Sequence, residues 1–200
     1  MAKANWVKVN PSSGSGNASV NVSSTAEHTG RTARTTTLTW KAANVTDIVR
    51  MVSQAGKPEY VDIDNTASAD KAGKLVTISG VSNSSKLTFS LGSGDLQISL
   101  PATYTANSIS TTNGANINGD PGASAEYNFS ISINVPANTS TNALSRQIIV
   151  SDGAGNTDVC TLTSAAGDAY VTVAEGTIEL DYMGTVVSVE VQSNTTWEIV

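Results

Sequence analysis

An internal repeat constrains this chain more than any other feature. Thr46-Asp-Ile-Val-Arg-Met-Val-Ser-Gln-Ala-Gly56 and Thr157-Asp-Val-Cys-Thr-Leu-Thr-Ser-Ala-Ala-Gly167 align without a gap at an offset of 111 residues. Gly73-Lys-Leu-Val-Thr-Ile-Ser-Gly-Val-Ser-Asn83 and Gly184-Thr-Val-Val-Ser-Val-Glu-Val-Gln-Ser-Asn194 share that offset. Two blocks at one spacing mean that one structural unit is used more than once. A second correspondence links Trp6–Pro11 to Leu96–Pro101, Val20 and Val22 to Ile133 and Val135, and Arg34 to Arg146. The expected organisation is a complete module over 58–168, the later part of one over 1–57, and the opening strands of another over 169–200.

Within these units the apolar period is two. Val20/Val22, Leu38/Trp40, Val76/Ile78 and Phe129/Ile131/Ile133/Val135 alternate as half-buried strands do. Turn clusters such as Pro11-Ser-Ser-Gly-Ser-Gly-Asn17 and Asp152-Gly-Ala-Gly-Asn156 separate them. Many short alternating strands with frequent turns predict an all-β sandwich. Residues 103–124, rich in Asn and Gly and without a counterpart in 1–57, read as a long loop, either a contact surface or a solvated insertion.

Few residues here can do chemistry. His28 is the single histidine and lies in a polar turn, so a Ser-His-Asp triad or a histidine metal site would have to be built on it. Cys160 is the single cysteine, which excludes an internal disulfide and fits a small core hydrophobe on a strand. Asp152-Gly-Ala-Gly-Asn-Thr-Asp158 is oxygen-rich but lacks the spacing and closing Glu of a calcium loop, and a β-turn is expected. No catalytic, cofactor-binding or metal-ligating residue is assigned. A net charge of −6, with basic residues scattered along the chain, argues against a nucleic-acid partner. No segment is apolar enough to suggest a membrane partner, and the opening Met-Ala-Lys-Ala-Asn-Trp lacks the apolar stretch of a secretory signal, so synthesis and retention in a cytoplasm are expected. Trp40, sharing a face with Leu38, and Trp197, sharing one with Ile199, are expected in the core. Trp6 alternates with Lys8.

The run Trp6-Val-Lys-Val-Asn-Pro-Ser-Ser-Gly-Ser-Gly-Asn17, then Val20-Asn-Val22, Arg34 ahead of a strand, and Val52-Ser-Gln-Ala-Gly56 resembles the BACON domain. Ser193-Asn-Thr-Thr-Trp197 is similar to the early Ser-Asn-x-x-Trp strand of that family. The resemblance touches most of the chain outside 103–124, and the central module departs from it, with Lys86 at the Trp position and Ala165 at the Gln position. It implies tandem immunoglobulin-like sandwiches, found in gut Bacteroidetes proteins, where glycan or mucin binding is proposed, and in crAss-like phages. The whole chain resembles auxiliary capsid or head-fibre proteins of such phages. The resemblance implies a non-enzymatic virion protein on the capsid surface, made in the host cytoplasm, with the major capsid protein and neighbouring copies of itself as partners. The alternatives are a glycan-binding module of a Bacteroidetes surface protein or phage adhesin, and a receptor-binding tail fibre. By the offsets, Val200 corresponds to Phe89 and Trp6 to Leu96. The expectation is therefore that 169–200 supplies opening strands to the 1–57 region of a neighbouring copy; the competing expectation is a natural chain that continues past Val200.

Overall fold

Alternating side chains on short strands leave one face of each ribbon apolar, and that face must meet another. In the computed structural model, which describes residues 3–174 and 176–200, the strands fall into three groups in chain order. The first group holds β1 (Val7–Asn10) and β2 (Asn21–Ser24), paired antiparallel, and β3 (Arg34–Trp40) and β4 (Ile48–Gln54), paired from Arg34↔Gln54 to Trp40↔Ile48.

The second group is a two-layer β-sandwich. It comprises β5 (Val61–Ile63), β6 (Thr66–Ala69), β7 (Lys74–Ser82), β8 (Thr88–Gly94), β9 (Thr103–Ala106), β10 (Ile109–Thr112), β11 (Tyr127–Val135), β12 (Leu144–Ser151) and β13 (Thr157–Ser164). One sheet runs β10-β9-β11-β7-β5 and the other β6-β13-β12-β8. The opening strand is divided between the layers: β5 pairs with β7, whereas β6 crosses over to lie parallel to β13. Asp158 ties the crossing by accepting a 2.8 Å hydrogen bond from the Ile63 amide. Along β11, Tyr127, Phe129, Ile131, Ile133 and Val135 are buried while Asn128, Ser132 and Asn134 face water, as a period of two requires. Ile148, Val150, Cys160 and Leu162 come from the opposite layer to meet them. Each such side chain contributes roughly 1.5–3 kcal/mol by leaving water. Phe89 spans the gap, its ring centroid 5.1 Å from that of Tyr104 and 5.9 Å from that of Phe129. Cys160 is buried among these residues, and burial pushes its thiol up to about 11.

Residues 103–124 are not the long loop that composition suggests. β9 and β10 form a hairpin at the edge of the five-stranded sheet, turning through Asn107 and Ser108, both at positive φ. Two left-handed residues make the turn twist that suits a hairpin, and Asn adopts that region more readily than most. Tyr104, Ala106, Thr111 and Ile117 are buried, and a 3-10 turn at Pro121–Ala123 comes next.

The third group is β14 (Val171–Val173) paired with β15 (Val191–Ser193). Its register, Val171↔Ser193 and Val173↔Val191, repeats that of Val61↔Ser82 and Ile63↔Gly80 between β5 and β7. Here the tryptophan expectations fail. Leu38 is 8% exposed, but Trp40 is 42% and Trp197 50% exposed. Alternation does put Trp40 on the face of Leu38, but the two separate two-stranded sheets of the first group bury Val7 and Leu38 and leave the Trp40 end of that face open, and the third group has a single two-stranded sheet among its described residues.

Candidate functional site: the junctions and the two uncovered faces

The first junction is organised around Asn83, which follows β7 and is completely buried. A buried amide is tolerable only when both of its ends are matched. The Asn83 Oδ1 accepts from the Tyr60 amide at 3.0 Å, and Nδ2 donates toward the carbonyls of Thr29, Lys57 and Pro58 at 3.1–3.3 Å. One side chain thus fastens the connecting segment and the 29–32 turn of the first group to the sandwich. The 103–124 region supplies the other jaw. Arg31 forms a two-pronged ion pair with Asp120, and Nη1 also donates to the Asn83 carbonyl at 3.1 Å. The amides of Arg31 and Thr32 donate to the carbonyls of Gly122 and Ala123 at 3.0 and 2.9 Å. The Asp120 carboxylate raises the Arg31 pKa further above its already high value. Gly30 and Gly122 sit where the two backbones touch; a Cβ on Gly30 would overlap the Ser124 carbonyl, and one on Gly122 the Asn83 carbonyl.

The second junction repeats the first. Asn194 Oδ1 accepts from the Tyr170 amide at 3.0 Å, and its Nδ2 donates to the carbonyls of Thr139 and Asp168, both at 2.9 Å. The Ser193 hydroxyl donates to the Tyr170 carbonyl at 2.8 Å, as that of Ser82 donates to the Tyr60 carbonyl at 2.7 Å. Gly167 donates to the Ser140 carbonyl at 2.7 Å where Lys57 donates to that of Gly30 at 2.9 Å. The sequence repeat is therefore also a repeat of joints, with the linker residues Lys57 and Tyr60 matched to Gly167 and Tyr170 one residue short of the 111 offset that relates Asn83 to Asn194.

His28 is part of this repeat. It is buried, and its Nε2 lies 2.7 Å from the Thr32 carbonyl oxygen, so that nitrogen carries the proton and donates. Asn138, one repeat later, donates its Nδ2 to the Asn142 carbonyl at 2.8 Å. The Asp152–Asp158 loop is closed on itself: Asp152 Oδ1 accepts from the amides of Ala154 and Asn156 at 2.9 and 2.8 Å, and Oδ2 accepts from the Asn156 side chain at 2.6 Å. It is a turn with its carboxylate occupied. Among the described residues no three His, Cys, Asp or Glu side chains come together as a metal site would require.

The residues that carry the family resemblance meet in space. The Arg34 guanidinium stacks 4.7 Å from the centroid of the half-buried Trp6 ring, and its Nε donates to Gln54 Oε1 at 2.9 Å. Gln54 Nε2 in turn donates to the Ala26 carbonyl at 3.1 Å. In the central sandwich Arg146 donates to the carbonyls of Leu96 and Gly92 at 2.9 and 3.2 Å, so each Arg holds the counterpart of the other's partner strand.

Two apolar faces stay open. In the first group an open cleft of about 660 Å³ is walled by Val9, Val20, Leu38 and Trp40, with Lys3 and Lys41 at its rim. In the third group Leu180, Tyr182, Met183, Val186 and Ile199 are each more than half exposed. Patches of this kind mark interaction surfaces. Sequence reasoning misses the joints: Asn83 and Asn194 occupy equivalent positions in the repeat, but an Asn within Ser-Asn-Ser or Ser-Asn-Thr reads as a turn residue. No protein-family model and no curated protein sequence matches the chain.

Proposed function

We propose that this chain is a non-enzymatic structural protein of a phage virion, decorating or cementing the capsid through tandem immunoglobulin-like modules. The opening strand split between layers, its parallel partner β13, and the order β10-β9-β11-β7-β5 over β6-β13-β12-β8 support the immunoglobulin-like reading of the sandwich. The contact of Trp6, Arg34 and Gln54 supports the BACON resemblance on which the virion assignment rests. The observation that carries the mechanical part is the Asn83 joint. A linker whose polar groups are consumed by a buried amide and a two-pronged ion pair is a fixed angle, which suits a part that must match a lattice. The partner is the major capsid protein, and the functional unit is surface. A map of the native virion tests this: ordered density for the chain repeating on the shell is expected, and its absence from the shell overturns the reading.

Trp40 favours a second reading. An exposed indole in a cleft with polar rims can stack on a pyranose face. Retention on a glycan array that disappears in Trp40→Ala would favour glycan binding over capsid decoration.

A further inference from the structure

We infer that the cleft of the first group is filled by residues 169–200 of a second copy, which supply the strands that complete its sandwich. This completion depends on neither capsid decoration nor glycan binding.

Three observations carry it. First, the third group already has the shape of the missing part. β14 and β15 pair in the register of β5 and β7, and the turn Asp181–Gly184 copies Asp70–Gly73. Gly184 donates to the Asp181 carbonyl at 3.2 Å and Gly73 to that of Asp70 at 3.1 Å, with φ of 74° at both glycines. Second, the central sandwich shows what that turn is for. The Asn138 amide donates to the Lys71 carbonyl at 2.9 Å, and Gly73 lies flush against the backbone of Val135–Ala137. One repeat away Lys71 becomes Tyr182, 99% exposed, and Asn138 becomes His28. In the completed sandwich, with the three extra residues between Val22 and His28 looped out, His28 of one copy therefore donates its amide to the Tyr182 carbonyl of the next. β2, paired with β1 on one side, takes residues 185–191 on the other, as β11 takes β7.

Third, the charges match. Residues 1–57 carry seven Lys and Arg against two Asp and Glu, a net +5, whereas 169–200 carry five Asp and Glu and no Lys or Arg, a net −5. The formal charge of −6 conceals this polarity between the ends, and the basic residues are not scattered along the chain as expected: seven of the eleven lie within 1–57. Opposite fields of this size steer two copies into head-to-tail contact and fix its sense. A head-to-tail contact leaves a free head and a free tail on an open pair, so unless two copies exchange their ends reciprocally it propagates into larger rings or filaments.

Sedimentation of the full chain over a wide concentration range tests the proposal. The weight-average mass should rise past that of a dimer, and the association constant should fall about tenfold or more from low to high salt. Tryptophan emission should shift to the blue on association as Trp40 becomes covered. The triple variant Glu179→Lys, Glu190→Lys, Glu198→Lys changes only exposed positions and should stay folded and monomeric. Lys74 faces Val135 across β7 and β11, so Thr185 should face Val22 of the next copy. A Val22→Cys, Thr185→Cys variant should oxidise to a ladder of linked copies, whereas Val22→Cys with Val186→Cys, one residue out of register, should not. A wild-type chain that remains monomeric at every concentration overturns the proposal. So does a disulfide formed only within one copy, or association that persists unchanged in the triple variant.

Discussion

Replacing Asn83 separates a joint from a simple tether. Asn83→Ala removes the acceptor of the Tyr60 amide and the donor shared by the carbonyls of Thr29, Lys57 and Pro58. The side chain has two N–H groups, so two good bonds to those carbonyls and one from Tyr60 are lost. At about 1 kcal/mol per bond to a buried group the cost is about 3 kcal/mol, and unpaired groups that water cannot reach add to it. Asn83→Asp keeps the acceptor for Tyr60 but turns a carboxylate toward three carbonyl oxygens, so it should cost at least as much. The tryptophans give a clean readout, because Trp6, Trp40 and Trp197 all lie outside 58–168, whereas Tyr60, Tyr104 and Tyr127 lie inside it. In urea the tryptophan-detected transition should move to lower concentration in both variants, and protease should cut between Gln54 and Val61. An Asn83→Asp variant as stable as the parent, or an Asn83→Ala loss under about 1 kcal/mol by the same scale, refutes the reasoning.

Ile133→Ala, in the filled core, should cost about 2–5 kcal/mol, whereas Trp40→Ala in the unassociated chain should fall well below the 3–5 kcal/mol of a buried tryptophan; thermal melts at low concentration compare them. Cys160 should resist thiol reagents at neutral pH until the chain is unfolded. Its folded pKa of about 11 lies above the ordinary thiol value of 9.0, so it contributes stability that is complete below pH 9 and is lost as pH rises toward 11. Urea midpoints across that range read the loss, and a midpoint that rises with pH contradicts it. Asp152→Ala should loosen the 152–156 turn, while a chelator should leave the melting temperature of the parent unchanged, because the turn is closed by amides.

Strands with strong alternation are legible in the sequence. β11 and β13, with Ile131, Ile133 and Cys160 in the core, come directly from period two, and the 111-residue repeat carries β7 onto β15, whereas β14 matches β5 one residue short of that offset, so that Val171 and not Thr172 faces Ser193. Three things are not legible. The β9–β10 hairpin hides because Tyr104-Thr-Ala106 is short and its turn uses Asn-Ser rather than Asn-Gly. Trp40 and Trp197 are misplaced because alternation identifies which face a side chain shares but not whether anything covers that face. The Asn83 joint is invisible because a buried, fully matched amide has the same sequence signature as a solvent-exposed turn. His28, which a single histidine invites one to read as chemistry, stands where the next repeat has Asn138.

The parallel pairing of β6 with β13 has a mechanical consequence. These strands lie at opposite ends of the central sandwich in sequence but are bonded side by side from Thr66↔Thr161 to Ala69↔Ser164. Tension entering ahead of β6 and leaving beyond β13 pulls the two along their length in opposite directions. Their ladder bonds are then loaded together in shear instead of being peeled one at a time. Peeling proceeds bond by bond at low force, whereas shear requires the whole patch to yield at once. A row of such sandwiches strung end to end would stretch little and then give way abruptly, one sandwich at a time.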